Sequence, residues 1–402
     1  MHTFLRALAW LLFMLTIAAA LWGTRDPLMN IAPTLVWTVW WVGLSLAAVL
    51  IGNLWPVLDP WRTTFDMLDA AVRRLGRPHG IEHGLRWPDS LGVWPAVAVL
   101  LAWSWLEVVH PLAASPQRLG VAALLWTAFN VGGMALFGPA LWQSRADGFA
   151  VAFATLGRVA PLRLDVPAPP FEPALPGRIG LVTALLAGVI FDGLHAGPWW
   201  APIEAMLHHA LPALVDINGH IAGTLGLLTT WLFFVLSVHI ALGGGEVLAR
   251  REQTSPRPAD LRLPARLAIA LVPIAAGYQL AHNVASLAQQ APVFVQLLSD
   301  PFGWQWDLFG SARRHGAVEE ADPRTLWFVA VGAIVAGHVV SIVLAHRIAL
   351  RAGLSPRRAA LVLLPLTALM VVCTAVSLLL IAAPMTQPPL AEVTPTQRAA
   401  PR

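Results

Sequence analysis

"TLWFVAVGAIVAGHVVSIVLAH", residues Thr325 to His346, decides the fold of this chain. It holds no Asp, Glu or Arg, and its apolar residues fall on every face of a helix. At about 1.5 Å per residue, a helix of this length crosses the roughly 30 Å hydrocarbon core of a bilayer. A helix that is apolar all round belongs in a protein core or in a membrane.

Eight further runs of the same kind occupy residues 4–22, 32–52, 93–112, 119–142, 179–195, 218–243, 266–290 and 360–383. Composition agrees with them. The chain is 57% hydrophobic and 12% charged, with a mean hydropathy of +0.65. A soluble domain carries roughly 25% charged residues and needs them to cover its surface. The expected fold is all-α, a polytopic transmembrane helical bundle of about nine spans. One domain covers 1–384, and residues 385–402 form a polar, Pro-rich tail that reads as disordered.

All 26 basic residues are arginine. With the N-terminus cytoplasmic, 19 arginines fall in cytoplasmic segments and 7 outside, alternating loop by loop. That is the positive-inside pattern, and it leaves the C-terminus external. The arginines are dispersed among short loops, so they form no basic stripe for nucleic acid. A single cysteine, Cys373, excludes a disulfide framework. The first run, with Arg6 before it and Ala18 to Ala20 after it, also fits a signal peptide. Retained or cleaved, it leaves the later spans in the same orientation.

Three finer expectations follow. The stretches "DPWRTTFDMLDAAVRRLG" from Asp59 and "DGFAVAFATLGRVAPL" from Asp147 are amphipathic and should lie on the inner membrane face. Most of the 19 tryptophans fall near span ends, as an interfacial belt requires. The seventh run should kink or break near Pro292. No internal repeat is evident.

Ionisable residues inside the spans are costly and need a partner or water. Helical rise places Glu107, Asp192 and His282 about 20–24 Å from the cytoplasmic end, and His338 near the middle. Glu107 and His110 are three residues apart, as are Asp192 and His195. Residues at that spacing share a helix face, and helix-borne Glu-x-x-His pairs hold metals in some bundles. The external loop "SDPFGWQWDLFG" adds Asp300 and Asp307 on the same side. These groups define either an outward polar cavity or a set of interhelical hydrogen bonds.

The strings "NIAPTLVWTVWWVGLSLAAVLIGNLWPVLDPWR", "LGVWPAVAVLLAWSWLEVVHP", "DGFAVAFATLGRVAPL", "VIFDGL", "LAH" at Leu280 to His282, "LLSDPFGWQWDLFG", "GHVVSIVLAH" and "LPLTALMV" occur in this order. Together they resemble a family of bacterial multi-pass membrane proteins labelled fenitrothion hydrolase. The resemblance runs from about Asn30 to about Ala382. It implies a bacterial inner-membrane protein that hydrolyses an apolar organophosphate triester, in contact with lipid and with a second membrane subunit. Its polar positions here are Asp59, Arg62, Asp192, His282, Asp300, Asp307, His338 and His346. The chain departs from the pattern at His195, where a hydroxyl is expected, and at Asn283 and Val284, where aromatic residues are expected.

Phosphotriester hydrolysis needs an activated water and stabilisation of charge at phosphorus, which divalent metals supply. Carboxylates and imidazoles suit zinc, manganese, cobalt or iron. The expected metal ligands are His282, His338, Asp192 and His195. Asp192, Glu107 and Asp300 are the expected catalytic carboxylates. The same residues suit two other roles: a proton-linked permease for a small solute, or a non-catalytic subunit of a membrane complex.

Overall fold

The computed structural model describes residues 2–110, 115–162, 175–210, 212, 219–251, 263–311 and 322–386. Among them nine helices are long and apolar enough to cross a membrane. They are α1 (His2–Trp22), α2 (Ile31–Ile51), α5 (Trp94–Val108), α6 (Pro116–Phe137), α9 (Arg178–Ala196), α11 (His220–Arg251), α13 (Val272–Ser299), α14 (Pro323–Arg351) and α15 (Pro356–Thr386). Shorter helices join them: α3 (Trp55–Leu58), α4 (Pro60–Arg74), α7 (Pro139–Arg145), α8 (Gly148–Leu156), α10 (Trp200–Ala210) and α12 (Leu263–Ala268). The chain is thus a multi-pass membrane protein with lipid-facing apolar surface, such as Leu232, Leu236 and Ile240 on α11. The expected tail lies outside the described residues, except that α15 continues to Thr386.

Helix α9 is the central element, packed on α5, α11 and α13. Its glycines permit this. A side chain at Gly188 would strike the Ser104 hydroxyl, and one at Gly180 would strike Trp94. The closest helix pair is α13 with α14. Gly277 faces the backbone of Ala333, and Gly337 faces the carbonyl of Pro273. Small residues at a crossing let two backbones approach in lipid, where apolar burial alone gives no drive to associate.

The seventh span departs from the expected break. Helix α13 continues through Pro292. The irregularity lies instead at Ile269–Leu271, a 3-10 turn before Pro273. Pro273 has no N–H for the Ile269 carbonyl, so Val272 donates to it. The Ser341 hydroxyl of α14 donates to the neighbouring Ala270 carbonyl.

Helix α8 is not a surface helix. Gly148 to Phe153, Thr155 and Leu156 are all buried, against α2, α5 and α7. Helix α4 does rest on the bundle, through Trp61 and Phe65, whereas Leu68 is exposed. The belt expectation is corrected for part of its members, although Trp22, Trp94, Trp199, Trp304 and Trp306 are exposed. Trp55, Trp61 and Trp142 are buried. They join Trp40, Trp41, Trp103, Trp126, Phe149 and Phe153 in one aromatic core, with neighbouring ring centroids such as Trp37–Trp103 at 4.6 Å and Trp40–Phe149 at 4.4 Å. The reason is that α3, α4, α7 and α8 turn back under the bundle. Part of α2, Thr34–Gly43, is wound as a π-helix, and it carries Trp37, Trp40 and Trp41 into this core.

A repeated design also emerges. Span α2 stops at Gly52 (φ 97°), a short helix follows, and Asp59 caps α4. Span α6 stops at Gly138 (φ 84°), a short helix follows, and Asp147 caps α8. Each aspartate accepts from the N–H groups two and three residues on. Left-handed glycine stops and aspartate caps carry the likeness, while the residues between them differ in number and kind.

The Gly277–Gly337 crossing yields a test. Gly277→Val is expected to lower stability by about 1–3 kcal/mol through overpacking. Gly332→Ala, on the same helix pair but with open space at its Cβ position, should leave the thermal midpoint in detergent unchanged or slightly raised.

Candidate functional site

Between α2, α5, α8, α9 and α13 lies a crevice whose lining includes Trp41, Ser45, Ser104, Glu107, Leu156, Asp192, Gln279 and Asn283. Its volume is about 30 Å³, room for about two waters.

Helical spacing builds this surface. Ser104 and Glu107 are one face of α5, Trp41 and Ser45 one face of α2, and Gln279 and Asn283 one face of α13. His282 Nε2 lies 2.7 Å from Asp192 Oδ2, joining α13 to α9, with both side chains partly exposed. The Tyr278 ring, one turn earlier, lies parallel to the His282 imidazole, 6.3 Å between centroids and 7° between planes. Glu107, Asp192 and Trp41 all line the crevice. The Tyr278 hydroxyl is buried without a partner and faces Gly193, where a side chain would collide with it.

Three expected site residues are therefore gathered: Asp192, Glu107 and His282. The others are elsewhere. His338 is buried, its Nδ1 donating to the Ile334 carbonyl at 2.8 Å while Nε2 has no partner. The Gly277–Gly337 crossing fixes the register of α13 on α14. Counting residues from it puts His338 about 10 Å deeper than His282 along the bundle axis. His195 shares a face with Asp192, but its ring lies against Trp200 and Phe191, centroids 5.1 and 5.6 Å away.

Asp300 serves its own loop. Its carboxylate accepts from the Trp304 and Gln305 N–H groups at 2.9 and 2.7 Å, holding Gln305 at φ 65°. That loop rests on the α1–α2 connection, where Thr24 donates to Phe302 O and Ile31 to Pro301 O. It contributes no residue to the crevice lining. One imidazole pair, His110 and His220, lies beside Trp105, the two rings tilted by 32° with centroids 5.6 Å apart.

The metal expectation is tested by the donor set. Among the described residues no three His, Cys, Asp or Glu side chains converge for a metal. His282 Nε2 and Asp192 Oδ2 are engaged with each other, which leaves His282 Nδ1 and Asp192 Oδ1 as their remaining acceptor atoms. Ligands near 2 Å from one ion must converge, and His338 and His195 point elsewhere. In this geometry His282 and Asp192 form a hydrogen-bonded dyad.

Sequence position alone pointed to Asp192, Glu107 and His282 by depth. Tyr278, Trp41 and Ser45 were missed, since nothing in an apolar run distinguishes the face that meets a cavity. No family model, curated protein or solved structure matches the chain.

The unpartnered Tyr278 hydroxyl yields a prediction. Tyr278→Phe should be neutral or stabilising, because an unsatisfied buried hydroxyl contributes nothing to the fold. Gly193→Ala should lower the melting temperature, and Tyr278→Phe should restore it in the double variant.

Proposed function

We propose that the crevice is the working site of a membrane hydrolase acting on apolar esters, with Asp192 and His282 as a water-activating dyad. The single observation that carries this reading is the 2.7 Å His282–Asp192 contact beside a crevice of water size that Asp192 lines. A carboxylate that accepts the Nε2 proton fixes the imidazole tautomer and leaves Nδ1 as the proton acceptor. His282 then takes a proton from water as that water attacks the ester, and Asp192 stabilises the imidazolium that results. Glu107, beside Asp192, is placed to receive or return a proton. An apolar substrate would reach the partly exposed dyad from the lipid side. The ordered motifs shared with the fenitrothion hydrolase family support a phosphotriester as the ester. The chemistry assigned to the dyad routes no step through a metal.

The crevice volume favours a second reading. Drug-sized ligands occupy cavities of roughly 300–1,000 Å³, far above the 30 Å³ here. Water and protons fit without rearrangement, which suits a proton-linked permease.

The two readings part in proteoliposomes. Hydrolysis of an aryl dialkyl phosphotriester should proceed in the presence of a chelator. It should fall by about 10²–10⁴-fold in His282→Ala and Asp192→Asn. Absence of hydrolysis together with solute uptake driven by a pH gradient, lost in the same variants, would replace the enzyme reading with the permease.

A further inference from the structure

Apart from the crevice, the most deeply enclosed carboxylates are the two helix caps, Asp59 and Asp147, which are 2% and 0% exposed. Asp59 is fully engaged. Its Oδ1 accepts from the Trp61 and Arg62 N–H groups at 2.8 and 3.0 Å, and its Oδ2 accepts from the Gln143 amide. Asp147 is half engaged. Its Oδ1 accepts from Phe149 and Ala150 at 3.0 and 3.1 Å, while its Oδ2 is buried with no partner. The two carboxyl groups lie close enough for the charge of one to act on the other.

A bare carboxylate oxygen in an apolar, tryptophan-lined core is costly, and two ionised carboxylates there repel strongly. The only ionisable groups acting on the pair among the described residues are the two acids themselves and Arg62. Arg62 is shared, since its Nε donates to Asp66 at 2.8 Å, and Arg6 holds the other oxygen of Asp66 at 2.6 Å. Arg145 and Arg158 flank α8 at its two ends. From α5, the groups nearest Gly148 are Val99 and the Ala96 carbonyl. From α2, they are the rings of Trp40 and Trp41 against Phe149. Glu107 sits at the far end of α5.

We propose that Asp59 and Asp147 form a proton-binding site that holds one exchangeable proton, carried by Asp147 at the oxygen that lacks a donor. The proton does for Oδ2 what no protein group does: it turns an unsatisfied acceptor into a neutral hydroxyl. The repeated architecture supports a built site, because each acid caps the helix that follows a glycine-stopped span, and the Trp61 and Phe149 rings just past the two caps lie 6.4 Å apart. Burial, then the neighbouring Asp59 charge, pushes Asp147 up to about 8, and burial pushes Asp59 up to about 6. The inference does not rest on the function proposed for the crevice, since it shares no residue with that site. Loss of the proton places a second negative charge between α4 and α8 and loosens the contact that holds both under the bundle.

Infrared titration of the full chain in liposomes tests this. The expected result is a protonated-carboxyl C=O band at neutral pH that disappears as pH rises past about 8 and is missing from Asp147→Asn. In Asp59→Asn the band should disappear at lower pH, because the neighbouring charge is gone. The folded chain retains a proton that the unfolded chain releases, so the pair favours folding at low pH. That contribution is lost as pH rises from the ordinary aspartate value, about 3.9, to about 8. The thermal midpoint should therefore decline over this window, and the decline should flatten in Asp147→Asn. The proposal is overturned by a wild-type chain with no such band at neutral pH, or by a band that survives in Asp147→Asn. It is also overturned by a titration that shifts with sodium at constant ionic strength, which would assign the site to a metal cation. Should Asp147→Asn not fold, the shift in Asp59→Asn decides the matter, and an unshifted band there overturns the proposal.

Discussion

Inside hydrocarbon there is no water to pair with a free backbone N–H or C=O, and every interruption of a helix must supply its own partners. Much of this protein's buried polarity follows from that constraint. Asn30, fully buried, caps the second span through Ala32 N and donates to the Ala19 and Thr24 carbonyls. Asp59 and Asp147 do the same for α4 and α8. The Ser341 hydroxyl meets a carbonyl beside the turn that Pro273 forces. These residues look like site residues in a sequence, because they are polar where the chain is otherwise apolar. Their first duty is to the backbone.

Against that background the crevice is distinctive. Glu107, Asp192 and His282 sit on uninterrupted helices and cap nothing. Their polarity is unexplained by the backbone, and the structure sets them together on three different spans. Glycines on α9 make the approach possible: Gly188 admits Ser104, and Gly193 admits the Tyr278 hydroxyl. The dyad therefore depends on residues that have no side chain to report their role.

The tryptophans illustrate how a local pattern misleads. Trp55, Trp61 and Trp142 stand at span ends, where an interfacial belt would place them. They are buried because left-handed glycines at Gly52 and Gly138 turn the chain back beneath the bundle. Trp61 then stacks with Phe149, Trp55 packs tilted against Phe153, and Trp142 meets Phe129 edge-to-face, offset and edge-on arrangements that aromatic quadrupoles favour. The same reversal buries α8, whose sequence carries no amphipathic face to lay on a surface. It is apolar almost throughout, and that is the signature of a helix inside.

Much of the architecture was legible in the residues alone, because hydrocarbon length and backbone satisfaction constrain a span whatever its neighbours are. Nine spans, the depths of Glu107, Asp192 and His282, and the continuous helix of Thr325 to His346 all follow from counting residues. What tertiary structure decided is which polar groups meet. His338 and His282 look alike in sequence, yet the Gly277–Gly337 crossing sets α14 in a register that leaves them about 10 Å apart in depth. Asp300 and Asp192 both seem placed on one side, yet Asp300 turns to the backbone of its own loop. Periodicity gives each helix its length and its depth. The rotation and register of one helix against another come from close contacts at single glycines, and no one-dimensional pattern encodes those.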